Sequence, residues 1–142
     1  MTRVMLELPE QLQFSTDIAV RISDINYGGH LGHDAIVSLM HEARVRFLRD
    51  HDFSESAFDG VGLIMTDLVV QYKAEAFYGD ILKIEVDVQA FSKYGCDFVY
   101  RVVNREKGTE VARAKTGIVF FDYKKKRIVG IPQSFQAAFA TR

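Results

Sequence analysis

Residues 23–34 read Ser23-Asp24-Ile25-Asn26-Tyr27-Gly28-Gly29-His30-Leu31-Gly32-His33-Asp34. Directly after them the hydrophobic period changes. Ile36, Leu39, Met40, Ala43 and Phe47 recur at spacings of three and four, which predicts an amphipathic helix from about His33 to about Asp50. Asp34 lies in its first turn and Arg49 in its last, the signs that the helix dipole favours. Glu42 and Arg46 form an i, i+4 pair in the better orientation. A short first strand is expected over residues 14–22, before the loop.

Beyond the helix the period is two. Leu68, Val70, Tyr72 and Ala74 alternate with Asp67, Val69, Gln71 and Lys73. Leu82, Ile84, Val86, Val88 and Ala90 form the clearest such set. Cys96, Phe98, Tyr100 and Val102 make one face of the next strand, and Ala112, Ala114, Thr116, Ile118 and Phe120 one face of the last. Turns fall at Tyr78-Gly79-Asp80, Lys93-Tyr94-Gly95 and Glu106-Lys107-Gly108. Links this short join antiparallel neighbours, because a parallel crossover needs a dozen or more residues. The expected class is α+β, with one long helix covering a five-stranded antiparallel sheet. Residues 132–140 are expected to add one short helix. Val99, Val103, Val119 and Phe121 give the far side of the sheet an apolar character, and association of copies is the economical way to cover it.

The chain has 142 residues, enough for one domain spanning residues 1–142 and not for two separate cores. The formal net charge is −1, which argues against a strongly basic nucleic-acid binder. The single cysteine, Cys96, excludes an internal disulfide and fits a reducing compartment. Glu7 and Pro9 interrupt the N-terminal stretch before a signal-peptide core forms. No apolar run approaches the ~20 residues needed to span a bilayer. A soluble, cytoplasmic protein with no membrane partner is expected.

Chemistry concentrates in the glycine-bearing loop. Gly28, Gly29 and Gly32 let backbone N–H groups approach a ligand closely. The loop runs into a helix N-terminus, where unpaired N–H groups stabilise developing negative charge. Asp24, Asn26, His30 and His33 sit around that point. A capping role would account for Asp and His there equally well.

The order of these residues narrows the choice. Val20-Arg21-Ile22-Ser23-Asp24-Ile25-Asn26-Tyr27-Gly28-Gly29-His30, followed by His41-Glu42-Ala43-Arg44 and Phe47-Leu48, resembles the hotdog-fold acyl-CoA thioesterases. It is most similar to the branch of 4-hydroxybenzoyl-CoA thioesterase and related small acyl-CoA hydrolases. The strand over residues 70–80, ending in Gly79-Asp80, resembles that family's second signature. The resemblance implies a hotdog fold and a homodimer joining two sheets into one, often paired into a homotetramer. It implies active sites between subunits and a thioester of coenzyme A, or of acyl carrier protein, as substrate. Coenzyme A would be part of the substrate, and no separate cofactor or metal is implied.

By this resemblance Asn26 takes the position where the family carries a catalytic Asp. An amide cannot take a proton at neutral pH. His30, Asp24 and Glu42 are therefore the candidate bases, with His30 preferred because a histidine titrates near neutrality. Gly32, His33 and Tyr27 would line the oxyanion and substrate side. Lys124, Lys125, Lys126 and Arg127 form the only basic run and could contact coenzyme A phosphates, or could simply be a solvated turn. Two alternatives stay open: a non-catalytic acyl-thioester-binding module, and a hotdog hydratase or dehydratase using His30 with Glu42. A metal site drawn from His30, His33, Asp34, His41 and Glu42 has poor geometry, because His30 precedes the helix. No Gly-x-Gly-x-x-Gly, Walker A or Gly-x-Ser-x-Gly pattern occurs.

Overall fold

A computed structural model describes residues 3–55 and 60–139. Strand β1 (Phe14–Ala19) is shorter than expected. Val20 leaves the ladder to exchange backbone bonds with the turn at Gly79 and Asp80. A 3-10 turn then forms over Ile22–Asp24. Its cause is local, because the Asp24 carboxylate accepts from the Arg21 backbone N–H at 2.8 Å.

Helix α1 (His33–Asp50) has the predicted bounds. Ile36, Leu39, Met40, Ala43 and Phe47 are buried, as their spacing required, and Leu48 and Arg44 are buried with them. At 18 residues it is roughly 27 Å long. The strands follow as β2 (Val61–Tyr72), β3 (Ile81–Gln89), β4 (Gly95–Asn104) and β5 (Glu110–Asp122). A sixth, β6 (Arg127–Val129), adds a strand to the five expected. It exists because residues 123–126 turn sharply: Lys126 adopts φ 55°, and Asp122 Oδ1 accepts the N–H groups of Lys124 and Lys125. Arg127 is thus a strand residue, and only the three lysines lie in the turn. Helix α2 (Gln133–Phe139) matches the expected tail helix up to Phe139, and Ala140 lies outside the described residues.

All pairings are antiparallel, in the order β1-β3-β4-β5-β2, with β6 on β5. The inner face carries Leu82, Ile84 and Val86, then Phe98, Tyr100 and Val102, then Ala112 and Ala114, all fully buried. Small alanines on β5 leave room for α1 to lie close. Phe47 is the hub, in ring contact with Phe14, Phe98 and Phe139.

The outer face is partly covered by the chain itself. The segment before β1 crosses it, held by Arg101 donating to the carbonyls of Pro9 and Glu10 and by Arg113 donating to that of Leu6. Val99, expected on an uncovered surface, is fully buried. The uncovered apolar surface lies elsewhere. A bulge between Met65 and Asp67 shifts the phase of β2, so Met65 and Leu68 both sit over inner-face residues, Ile118 and Thr116. They are 40% and 46% exposed, at a sheet edge with no strand partner among the described residues.

Candidate active site

The loop between β1 and α1 is a small hairpin closed on itself. Ile25 and Leu31 form an antiparallel bridge, and the Asn26 N–H donates to the His30 carbonyl at 2.8 Å. Gly29 makes the turn at φ +83°, a conformation that L side chains rarely adopt. The loop is hung on the chain after β2, because the Leu31 N–H donates to the Ala76 carbonyl at 2.8 Å.

Asn26 organises the hairpin. Its Oδ1 accepts from the N–H groups of Gly28 at 2.9 Å and His30 at 3.2 Å. Both partners are donors, so the oxygen is fixed inward and Nδ2 faces out. Asn26 therefore offers the site two N–H donors rather than an acceptor for water.

His30 Nε2 lies 3.6 Å from Glu75 Oε1, and its ring packs edge-on against Phe77, 5.4 Å between centroids. The start of α1 stands beside this pair. Gly32 is its N-cap, the Ala35 N–H is taken by Asp34 Oδ1, and the N–H groups of His33 and Asp34 have no partner among the described residues. The Tyr72 hydroxyl donates to the His33 carbonyl at 2.7 Å, pinning the end of β2 to the helix start. Burial and the neighbouring Asp34 carboxylate both raise the Tyr72 pKa, so the phenol stays protonated. Asn26, His30, His33, Tyr72, Lys73 and Glu75 line one cleft of about 380 Å³.

The other sequence candidates lie outside it. Asp24 is buried under the loop, and its carboxylate is committed to the backbone N–H and guanidinium of Arg21. Burial alone would raise its pKa, but the Arg21 hydrogen bonds outweigh that and lower it. It orders the loop and makes a poor base. Glu42 is paired with Arg46 at 2.9 Å and lines a different groove with Asp17 and Arg21, which separates it from His30 and weakens a hydratase-like pair. Tyr27 is fully exposed at the hairpin tip and does not line the cleft.

The basic run is remote within one chain. Lys124 packs beside Gly60, next to the start of β2, whereas Tyr72 at the end of β2 touches α1. The twelve residues of β2 separate them by roughly 36 Å. Tyr72 and Glu75 escaped the sequence reading, because they join the loop only through β2, about forty residues later. Cys96 is buried, and burial first, then the Asp97 carboxylate, push its thiol up to about 12. Among the described residues no three His, Cys, Asp or Glu side chains gather as metal ligands, and no helix is long and apolar enough to cross a membrane.

Residues 20–139 match the family model of the thioesterase-like superfamily. The chain belongs to that superfamily. A curated relative, the acyl-CoA thioester hydrolase YbgC of Escherichia coli, is 29% identical over 128 residues, covering 89% of this chain and 95% of YbgC. Among solved structures, a 1,4-dihydroxy-2-naphthoyl-CoA thioesterase from Synechocystis superposes with a TM-score of 0.83 at 21% identity, covering 89% of this chain and 95% of that one. A gentisyl-coenzyme A thioesterase superposes at 0.79 with 19% identity, covering 89% and 99%. At these identities the superpositions establish the shared hotdog fold. In this superfamily member the position after Asp24-Ile25 is an amide whose oxygen already accepts two loop N–H groups.

Proposed function

We propose that this chain hydrolyses acyl-CoA thioesters in the cleft at the start of α1. The observation that carries the reading is the pair of unpartnered amides at His33 and Asp34, beside the outward Nδ2 of Asn26 and the His30–Glu75 pair. Donors at the helix start and on Asn26 would stabilise charge gained by a carbonyl oxygen held in this cleft. Water adds to the thioester carbon while His30 takes its proton, with the Glu75 carboxylate beside the charged imidazole. Collapse expels the thiol sulfur, which recovers that proton, and free acid and coenzyme A result. Coenzyme A arrives with the substrate, and the mechanism needs no further cofactor.

The acting species in this proposal is a homodimer of cytoplasmic protein, joined through the free edge of β2. Antiparallel pairing of two such edges sets the start of one β2 opposite the end of the other. Lys124, Lys125, Lys126 and Arg127 of one protomer then approach the cleft of its partner, where they meet the phosphates of coenzyme A. This arrangement removes the distance that separates them within one chain.

The test is thiol release from acyl-CoA thioesters of graded length, with acyl carrier protein thioesters alongside to identify the carrier. Turnover by wild type is expected, with His30→Ala lowering kcat about a hundredfold and Glu75→Gln less. Unchanged kcat in both variants would remove His30 and Glu75 from the mechanism. A second reading, an acyl-thioester-binding module, is favoured by Asn26 alone, since an amide is no base. It predicts tight acyl-CoA binding without turnover, and turnover gained in Asn26→Asp.

A further inference from the structure

A second cavity, of about 390 Å³, lies between α1 and the bulged part of β2. Val37, Met40, Met65 and Leu68 give it apolar surface, and Ser38, His41, Thr66, Asp67 and Thr116 line it beside Arg44. It follows the same α1–β2 seam as the cleft, since β2 continues from Leu68 to Tyr72 and the Tyr72 hydroxyl is bonded to His33. A group entering at the start of α1 and running along this seam meets Arg44 after roughly 16 Å of helix, less the reach of a side chain that leans back toward the N-terminus.

Among the charged groups that line it, Arg44 is the buried one. It is buried, 7% exposed, on the core side of α1. Its Nε donates to Glu55 Oε2 at 2.8 Å and its Nη1 to the Tyr100 hydroxyl at 3.0 Å. Thr116 Oγ1 donates to the same hydroxyl at 3.2 Å, and His41 Nε2 shares a hydrogen bond with Glu55 Oε1 at 2.8 Å. Burial opposes the charge on Arg44, but Tyr100 and Glu55 outweigh it and hold the guanidinium charged. Nη2 has no partner among the described residues, although no enclosed side-chain nitrogen or oxygen there lacks one. Nη2 therefore meets open space, and the space that Arg44 lines is this cavity.

We infer that this cavity receives the acyl group, and that Arg44 selects acyl groups carrying a hydrogen-bond-accepting oxygen at their far end. The inference rests on the hydrolase reading of the cleft. A hydrocarbon tip would strip water from Nη2 and return no bond. A hydroxyl, phenol or carboxylate tip restores it. Sites built to bond a substrate oxygen reject analogues that lack it far more strongly than apolar pockets sort chain length. Glu55 already offsets the Arg44 charge, so a neutral hydroxyl suffices.

The experiment compares kcat/KM for matched pairs: decanoyl-CoA against 10-hydroxydecanoyl-CoA and 9-carboxynonanoyl-CoA, and cinnamoyl-CoA against 4-hydroxycinnamoyl-CoA. Wild type is expected to prefer the oxygen-tipped member of at least one pair by tenfold or more. The pair that shows the preference separates aliphatic from aromatic acyl groups. Arg44→Met is expected to bring that ratio to about one. Tyr100→Phe, which keeps the Arg44–Glu55 pair, is expected to reduce it two- to fivefold and serves if Arg44→Met does not fold. An Arg44 that only supports the fold would lower both substrates together and leave the ratio intact, which overturns the inference, as does a wild-type ratio near one in every pair. Calorimetric binding of the corresponding non-hydrolysable thioethers reads the same ratio without turnover. Selective binding without hydrolysis would defeat the hydrolase reading and keep the pocket. Hydrolysis without selectivity would do the reverse.

Discussion

Asn26 and Asp24 are two residues apart and do different work. The Oδ1 of Asn26 is held by two loop amides, and a carboxylate there would accept the same two bonds. Asn26→Asp should therefore leave the loop intact and supply an ionised acceptor that the wild type lacks. Thiol release by that variant is expected to exceed wild type severalfold, and a fall would show that the Nδ2 donors matter more than a second base. Asp24 is a structural anion whose folded pKa lies below its ordinary value of 3.8. A depressed carboxylate contributes stability above its unfolded pKa and loses it as pH falls through the folded value. Asp24→Asn should cost about 1 kcal/mol at neutral pH. That difference should shrink as pH falls below the ordinary value of 3.8 and vanish once Asp24 is protonated in the folded protein, in denaturant titrations followed by circular dichroism. A constant difference across that window would mean that the charge of Asp24 contributes nothing.

At the level of elements, β4 and β5 meet so closely at Gly95 that an added Cβ would overlap the Ile118 carbonyl. The obstacle is backbone, which cannot swing aside as a side chain can. Gly95→Ala is expected to destabilise the fold by about 3 kcal/mol, visible as a lower urea midpoint. A loss under 1 kcal/mol would show that the two strands can part there. Cys96, next along β4, tests the same region chemically. Its thiol is buried and pushed up to about 12, so almost no thiolate exists at pH 8. Iodoacetamide should label it only on unfolding, and rapid labelling of the native protein would show that β4 opens. These elements were legible in the sequence wherever one periodicity ran unbroken. The five apolar positions of α1 and the alternation in β3 and β4 identify the buried faces. Legibility failed at the bulge in β2 and at the turn before β6. There one extra residue in the ladder, or one positive φ at Lys126, changes the phase or direction with little trace in hydrophobic pattern.

For the whole molecule the decisive feature is the edge of β2. A twelve-residue strand with Met65 and Leu68 exposed and, among the described residues, no strand partner on one side is a template for another strand. Leu68→Lys is expected to convert a dimer into a 16.1 kDa protomer in light scattering, with acyl-CoA hydrolysis falling at least tenfold. A wild type that is itself a 16.1 kDa particle would overturn the dimer and leave the basic turn far from any cleft.

The linear pattern was enough for the long helix, the strands with their short antiparallel links, and the loop in which Asn26, His30 and His33 lie, because periodicity and turn residues are written within a few residues of chain. It could not reveal that Tyr72 and Glu75 complete that loop, that Asp24 is spent on Arg21, or that Glu42 faces another groove. Those depend on which side chains distant segments bring within hydrogen-bond reach, and on which donors are already satisfied. Such matters are settled only when the sheet curls around α1 and each polar group finds, or fails to find, its partner.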